Sequence, residues 1–190
     1  MAAKRVLPPA QDSPLSSLNR FITTHNEETG QAIFSDALPE ENPTNPLPGA
    51  VFRLGYTTKT FPAQLNNNAD VDTYKSFLGS APGLVNHGGT VLRIVDMHPN
   101  FTSPMHRTVS LDYGIVLEGV VDLVLDSGEV RTMKPGDMAI QRGTMHAWRN
   151  NHPTEWARLA FVLQPCEPVV VGGKELEEDY GDMEGVKKSE

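Results

Sequence analysis

A chain of 190 residues with 38% hydrophobic and 21% charged residues has apolar material for one sizeable core, and not for two. Sixteen Lys and Arg against 24 Asp and Glu give a formal charge of −8 with no basic run, which sets aside nucleic acid and anionic membrane as partners. Cys166 is the single cysteine, so an internal disulfide and a cysteine zinc cluster are both excluded.

The first thirty residues lack the apolar core of a signal peptide, and no stretch approaches the roughly 18 apolar residues of a bilayer span, so a reduced cytoplasmic setting is expected. Residues 1–50 hold seven of the fifteen prolines and form an extended or irregular arm. Within that arm, Arg20–Thr24 and Gln31–Phe34 flank a turn ending in Gly30 and read as a hairpin. A hairpin this isolated needs a surface to lie on, either its own barrel or a second subunit. Residues 51–58 read as a strand, Asn66–Asn68 as a loop, and Val71–Leu78 as one or two helical turns.

From Thr90 onward the chain becomes a series of short β segments: 90–96, 111–117, 120–125, 130–133, 138–141, 146–149 and 156–163. Turn signals such as Asp126-Ser127-Gly128 and Pro135-Gly136-Asp137 divide them. Many short strands at this spacing predict an all-β barrel or sandwich over residues 51–170. The last stretch, residues 171–190, is acidic, poor in apolar residues and expected as a solvated or disordered tail.

Four polar residues, His106, Thr108, Ser110 and Asp112, share strand parity and would face one side of a continuous strand. His146 opens a later segment, and Trp148 shares its parity. Two imidazoles and a carboxylate converging in a barrel would make a facial set for a divalent metal. The plain alternative is a pair of buried, hydrogen-bonded histidines and a turn-capping aspartate. His25, His87, His98 and His152 lie in loop-like sequence and read as surface residues.

The stretch PMHRTVSLDYGIVLEGVV resembles the first cupin motif, with His106 on its first His, Thr108 on its second, Asp112 on its Glu and Gly119 on its closing Gly. GDMAIQRGTMHAWRN resembles the second motif, with Gly143, His146 and Asn150 in place and Gln141 where Pro usually stands. The resemblance covers about residues 88–165 and is to single-domain cupins of metabolite biosynthesis. It implies a jelly-roll β-barrel and a homodimer in which the N-terminal strands pack on the neighbour. It also implies one divalent metal (iron, zinc or manganese) on His106, Asp112 and His146. Thr108 departs from the usual third imidazole, which leaves open a metal-free acid/base pocket built on the same residues.

Arg142 would pin a substrate carboxylate or else pair with Asp137 or Asp112. Trp148 would pack on the substrate's apolar body or fill core space. Thr108 would face the substrate. Arg107, by alternation, points away. With no strong nucleophile and no phosphate-cradling loop, the leading expectation is a lyase, decarboxylase or dehydratase, acting on a small oxo or aromatic acid such as a polyketide intermediate. The rivals are an Fe(II) dioxygenase using the same three ligands and a non-catalytic small-molecule-binding cupin.

Overall fold

Period-two alternation of buried and exposed side chains, the mark of a half-buried strand, runs through the chain from Val91 to Leu163. The structure, a computed structural model, describes residues 7–189. Its strands in chain order are β1 (Thr23–His25), β2 (Ala32–Phe34), β3 (Asn45–Leu47), β4 (Ala50–Thr57), β5 (Val91–Met97), β6 (Phe101–Thr102), β7 (Ser110–Glu118), β8 (Val121–Leu125), β9 (Val130–Met133), β10 (Met138–Arg142), β11 (His146–Asn150), β12 (Ala157–Pro165), β13 (Val170–Val171) and β14 (Lys174–Glu175). Between β4 and β5 lie a single 3-10 turn at Asn66–Asn68, where a loop was expected, and the α-helix α1 (Ala69–Leu78).

Ten of these strands form two antiparallel sheets, a six-stranded one in the order β10-β7-β12-β5-β4-β3 and a four-stranded one in the order β6-β11-β8-β9. Their inner faces meet in one core, with Val95, Val116 and Leu159 from the larger sheet against Val121, Met133 and Trp148 from the smaller. This is the expected all-β jelly roll, closed by side-chain burial between the sheets. The β8–β9 turn falls on Ser127-Gly128, where Gly128 takes φ +87, a conformation that favours glycine. Helix α1 buries Val71, Tyr74 and Phe77, and Tyr74 and Phe77 join a second cluster with Leu54, Val85, Val91 and Leu163.

The proline-rich arm runs along the outside of the larger sheet. Its anchor is a buried ionic cluster. Asp96 accepts from Arg53 at 2.7 Å and from Arg158 at 2.6 and 2.9 Å, while Arg158 also donates to the Ser16 carbonyl of the arm. The expected hairpin is present as β1 paired with β2, but Phe21 and Phe34 remain 60% and 71% exposed.

Most described residues of the acidic tail are exposed, and a few of them hold it against the jelly roll. Arg107 and Asp179 exchange backbone hydrogen bonds of 2.6 and 2.9 Å, and the Arg107 Nε donates to the Glu177 carbonyl at 2.8 Å. Tyr180, Met183 and Val186 then pack on the second cluster. Three apolar residues spaced through a charged segment supply enough apolar surface to dock it, and composition averaged over the segment hid them. No helix among the described residues is long and apolar enough to cross a membrane.

Candidate functional site

A cavity of about 910 Å³, its mouth included, opens between the two sheets and is walled mainly by apolar side chains such as Phe52, Val95, Met97, Trp148 and Phe161. His106, Thr108, Asp112, Gln141 and His146 form one polar patch on that wall. The continuous strand expected here begins only at Ser110; His106, Thr108 and Asp112 nonetheless line the cavity, and Ser110 is buried against Thr108 and Asp112.

His106 and His146 meet because their backbones pair, with N–H to carbonyl distances of 2.8 and 2.9 Å in both directions. Their ring centroids are 4.3 Å apart. Each ring is oriented from behind by its own chain: the His106 Nδ1 donates to the Pro104 carbonyl at 2.9 Å, and the His146 Nδ1 to the Thr144 carbonyl at 2.8 Å. A carbonyl accepts only, so the proton of each neutral ring sits on Nδ1 and leaves Nε2 as a lone-pair acceptor. Burial lowers both histidines, and for His146 the neighbouring His106 adds to the effect and takes it to about 3. Both rings are therefore neutral at pH 7.

Asp112 is held by two hydroxyls. Ser110 Oγ lies 2.5 Å from Oδ1, Thr108 Oγ1 lies 3.3 Å from Oδ2, and the two hydroxyls are 2.6 Å apart. Burial raises the carboxyl to about 6 against the pull of those hydrogen bonds. Gln141 faces Asp112 across the β7–β10 pair, and its buried Nε2 has no partner. It is a donor aimed into the cavity wall without an acceptor.

The three residues expected as metal ligands stand on one wall of the cavity. Among the described residues no group of three His, Cys, Asp or Glu side chains closes on a common point. The Asp112 carboxylate is engaged with Ser110 and Thr108, and Asp is one methylene shorter than the Glu it replaces in the resemblance. His106 and His146 are the nitrogen donors this wall offers, as a pair, with Asp112 held by its two hydroxyls.

Arg142 is exposed and does not line the cavity, because alternation along β10 turns Gln141 inward and Arg142 outward. Thr108 contacts Asp112 and lines the cavity, and Trp148 both lines it and packs on Phe161 at 5.4 Å between ring centroids. The ring has room because Gly114 stands opposite, where a Cβ would come within 3.1 Å of the Trp148 side chain. Asn150 braces its strand end through Nδ2 hydrogen bonds to the carbonyls of Met97, His98 and Glu155. Sequence reading passed over Arg93, a buried cation on the cavity wall. Its signal was its parity, since it shares the inward side of β5 with Val91, Val95 and Met97.

The family model described as "Cupin domain" matches residues 93–163. The chain is 48% identical over 168 residues to "Phomopsin biosynthesis cluster protein D" of Diaporthe leptostromiformis, covering 87% of this chain and 88% of that protein. It is 43% identical over 178 residues to "Oryzines biosynthesis cluster protein J" of Aspergillus oryzae, covering 92% and 97%. It is 40% identical over 171 residues to "Cupin-domain-containing oxidoreductase fogC" of Aspergillus ruber, covering 89% and 83%. Among solved structures, the polyketide cyclase RemF from Streptomyces resistomycificus aligns at 25% identity and TM-score 0.41, over 63% of this chain and 66% of that one. With both motifs in place on a jelly roll and relatives of this identity and coverage, the chain belongs to the cupin family.

Proposed function

We propose that the chain is a lyase that eliminates water or carbon dioxide from a small oxo or aromatic acid by acid/base chemistry in the cavity. The observation that carries this reading is the polar patch itself: a carboxyl poised near neutrality and a partnerless amide donor stand beside two neutral imidazoles in a mainly apolar wall. The names of the relatives, which refer to biosynthesis clusters, support a small biosynthetic intermediate as the substrate.

In a dehydration, the Asp112 carboxylate takes the proton from the carbon beside the substrate carbonyl. Gln141 Nε2 donates to that carbonyl oxygen as negative charge builds on it. Asp112 then returns the proton to the departing hydroxyl, so water leaves and a carbon–carbon double bond forms. In a decarboxylation the electrons of the broken bond go to the carbonyl, carbon dioxide leaves, and protonated Asp112 supplies the proton. A group that gives and takes a proton works best with a pKa close to the working pH. The two Nε2 lone pairs accept hydrogen bonds from substrate hydroxyls and fix which face meets Asp112.

The test is anaerobic incubation of chelator-treated protein with a panel of 3-hydroxy and 3-oxo acids, read by mass spectrometry. Loss of water or carbon dioxide is expected from wild type and not from Asp112→Asn. Turnover that requires oxygen or added iron would overturn the reading. It would instead favour oxidoreduction, the activity in the names of relatives such as the Aspergillus ruber protein.

A further inference from the structure

Among the described residues, Arg93 is a buried cation with no carboxylate counter-ion. Its side chain is 4% exposed and lines the cavity. Nη2 donates to the carbonyls of Gly83 at 2.9 Å and Pro82 at 3.4 Å, and the guanidinium lies 5.2 Å from the centre of the Phe52 ring. None of these neighbours neutralises its charge. Arg53 and Arg158, at least as deeply buried, are both paired with Asp96, whereas among the described residues no carboxylate forms an ion pair with Arg93. The phenol it senses, Tyr180, is pushed up to about 12 by burial and is neutral. Burial lowers Arg93 only to about 10, so its charge persists at pH 7.

An unpaired guanidinium in an apolar cavity is costly unless an anion completes it, and its planar fork matches a carboxylate. The sheet register places it as well. Arg93 pairs with Phe161 on β12, and Phe161 pairs with Gly114 on β7, two residues from Asp112. Two strand spacings and one pleat put Arg93 and Asp112 about 10–12 Å apart at the backbone.

We propose that Arg93 anchors the substrate's carboxylate, so that the cavity takes an apolar molecule with an acid at one end and its reacting carbon toward Asp112. This rests on the reading that the cavity holds substrate, and it transfers to Arg93 the role that sequence suggested for Arg142. It also narrows the chemistry. A carboxylate held by a guanidinium is kept, so the group lost is water and the product is still an acid.

The experiment is calorimetric titration of the full chain with benzoate, cinnamate and octanoate, each beside its neutral amide. Wild type is expected to bind its preferred acid at least about tenfold tighter than the matching amide. Arg93→Gln is expected to bring the two within about twofold, while Arg142→Gln leaves the preference intact. Arg93→Lys keeps a charge at the position and is expected to keep part of the preference, which covers the case in which the Gln variant does not fold. Equal affinities in wild type, a folded Arg93→Gln that still prefers acids, or acid binding weaker than ~1 mM throughout would overturn the proposal. Because the readout is binding, acid preference without any turnover supports the anion site and removes the catalytic reading. Turnover of neutral compounds without acid preference does the reverse.

Discussion

Asp112 is a carboxyl whose ionised form burial disfavours. Its pKa moves from 3.8 to about 6, so the native state is favoured most below pH 4 and this contribution is lost as pH rises through about 6. At 1.36 kcal/mol per unit, the ionised carboxylate costs the native state roughly 3 kcal/mol at pH 7. Asp112→Asn is therefore expected to raise Tm at pH 7 while lowering turnover by about 10²–10⁴-fold, with calorimetry and product assay as the two measurements. The kcat/KM of wild type should rise with pH through an apparent pKa near 6. His146 acts with the opposite sign. Its pKa is depressed to about 3, so it contributes stability above its unfolded value of 6.5 that is lost as pH falls toward 3. His146→Gln should flatten the acid side of the stability profile, measured as Tm against pH.

Two elements govern access to these residues and their support. The tail closes over one side of the cavity with Met183, Glu184 and Val186. Its approach is close: a Cβ on Gly185, which has φ +76, would lie 2.7 Å from the Leu47 side chain. A chain ending at Leu176 loses that cover, and we expect its Tm to fall by roughly 5–10 °C, with an apolar dye entering the opened cavity. Behind the cavity, β4, β5 and β12 are bound through Asp96 to Arg53 and Arg158. Burial pushes the Asp96 pKa up, but the hydrogen bonds from both arginines together bring it below the usual carboxylate range. Asp96→Asn leaves two buried guanidiniums short of charge and is expected to cost about 3–5 kcal/mol in denaturant unfolding.

For the whole molecule, the apolar surface left outside the core bears on assembly. Phe21, Ile33 and Phe34 on the hairpin and Met138 and Ile140 on the outer face of β10 are all exposed. The homodimer implied by the family resemblance would cover such a surface. Sedimentation is expected to give twice the chain mass for wild type and the single mass for Phe34→Asp with Ile33→Asp. A monomeric wild type would remove that expectation.

The strands, the hairpins and the two motifs were legible in the amino-acid sequence because strand alternation and turn chemistry act over a few residues. Spacing in the sequence grouped His106, Thr108 and Asp112, and these three do line one cavity, although the strand that carries Asp112 starts only at Ser110. What stands across from that wall depends on contacts between segments far apart in the chain, and periodicity carries no such information. Only the tertiary structure brought the His106 ring centre to 4.3 Å from that of His146, tied Asp112 to two hydroxyls, and turned Arg142 out. It also left Arg93 inside with no carboxylate partner among the described residues and folded a charged tail over the cavity on three apolar residues. Burial and counter-charge are properties of the assembled sheets, so the pKa values and the unpaired cation that define the site exist only once the chain has folded.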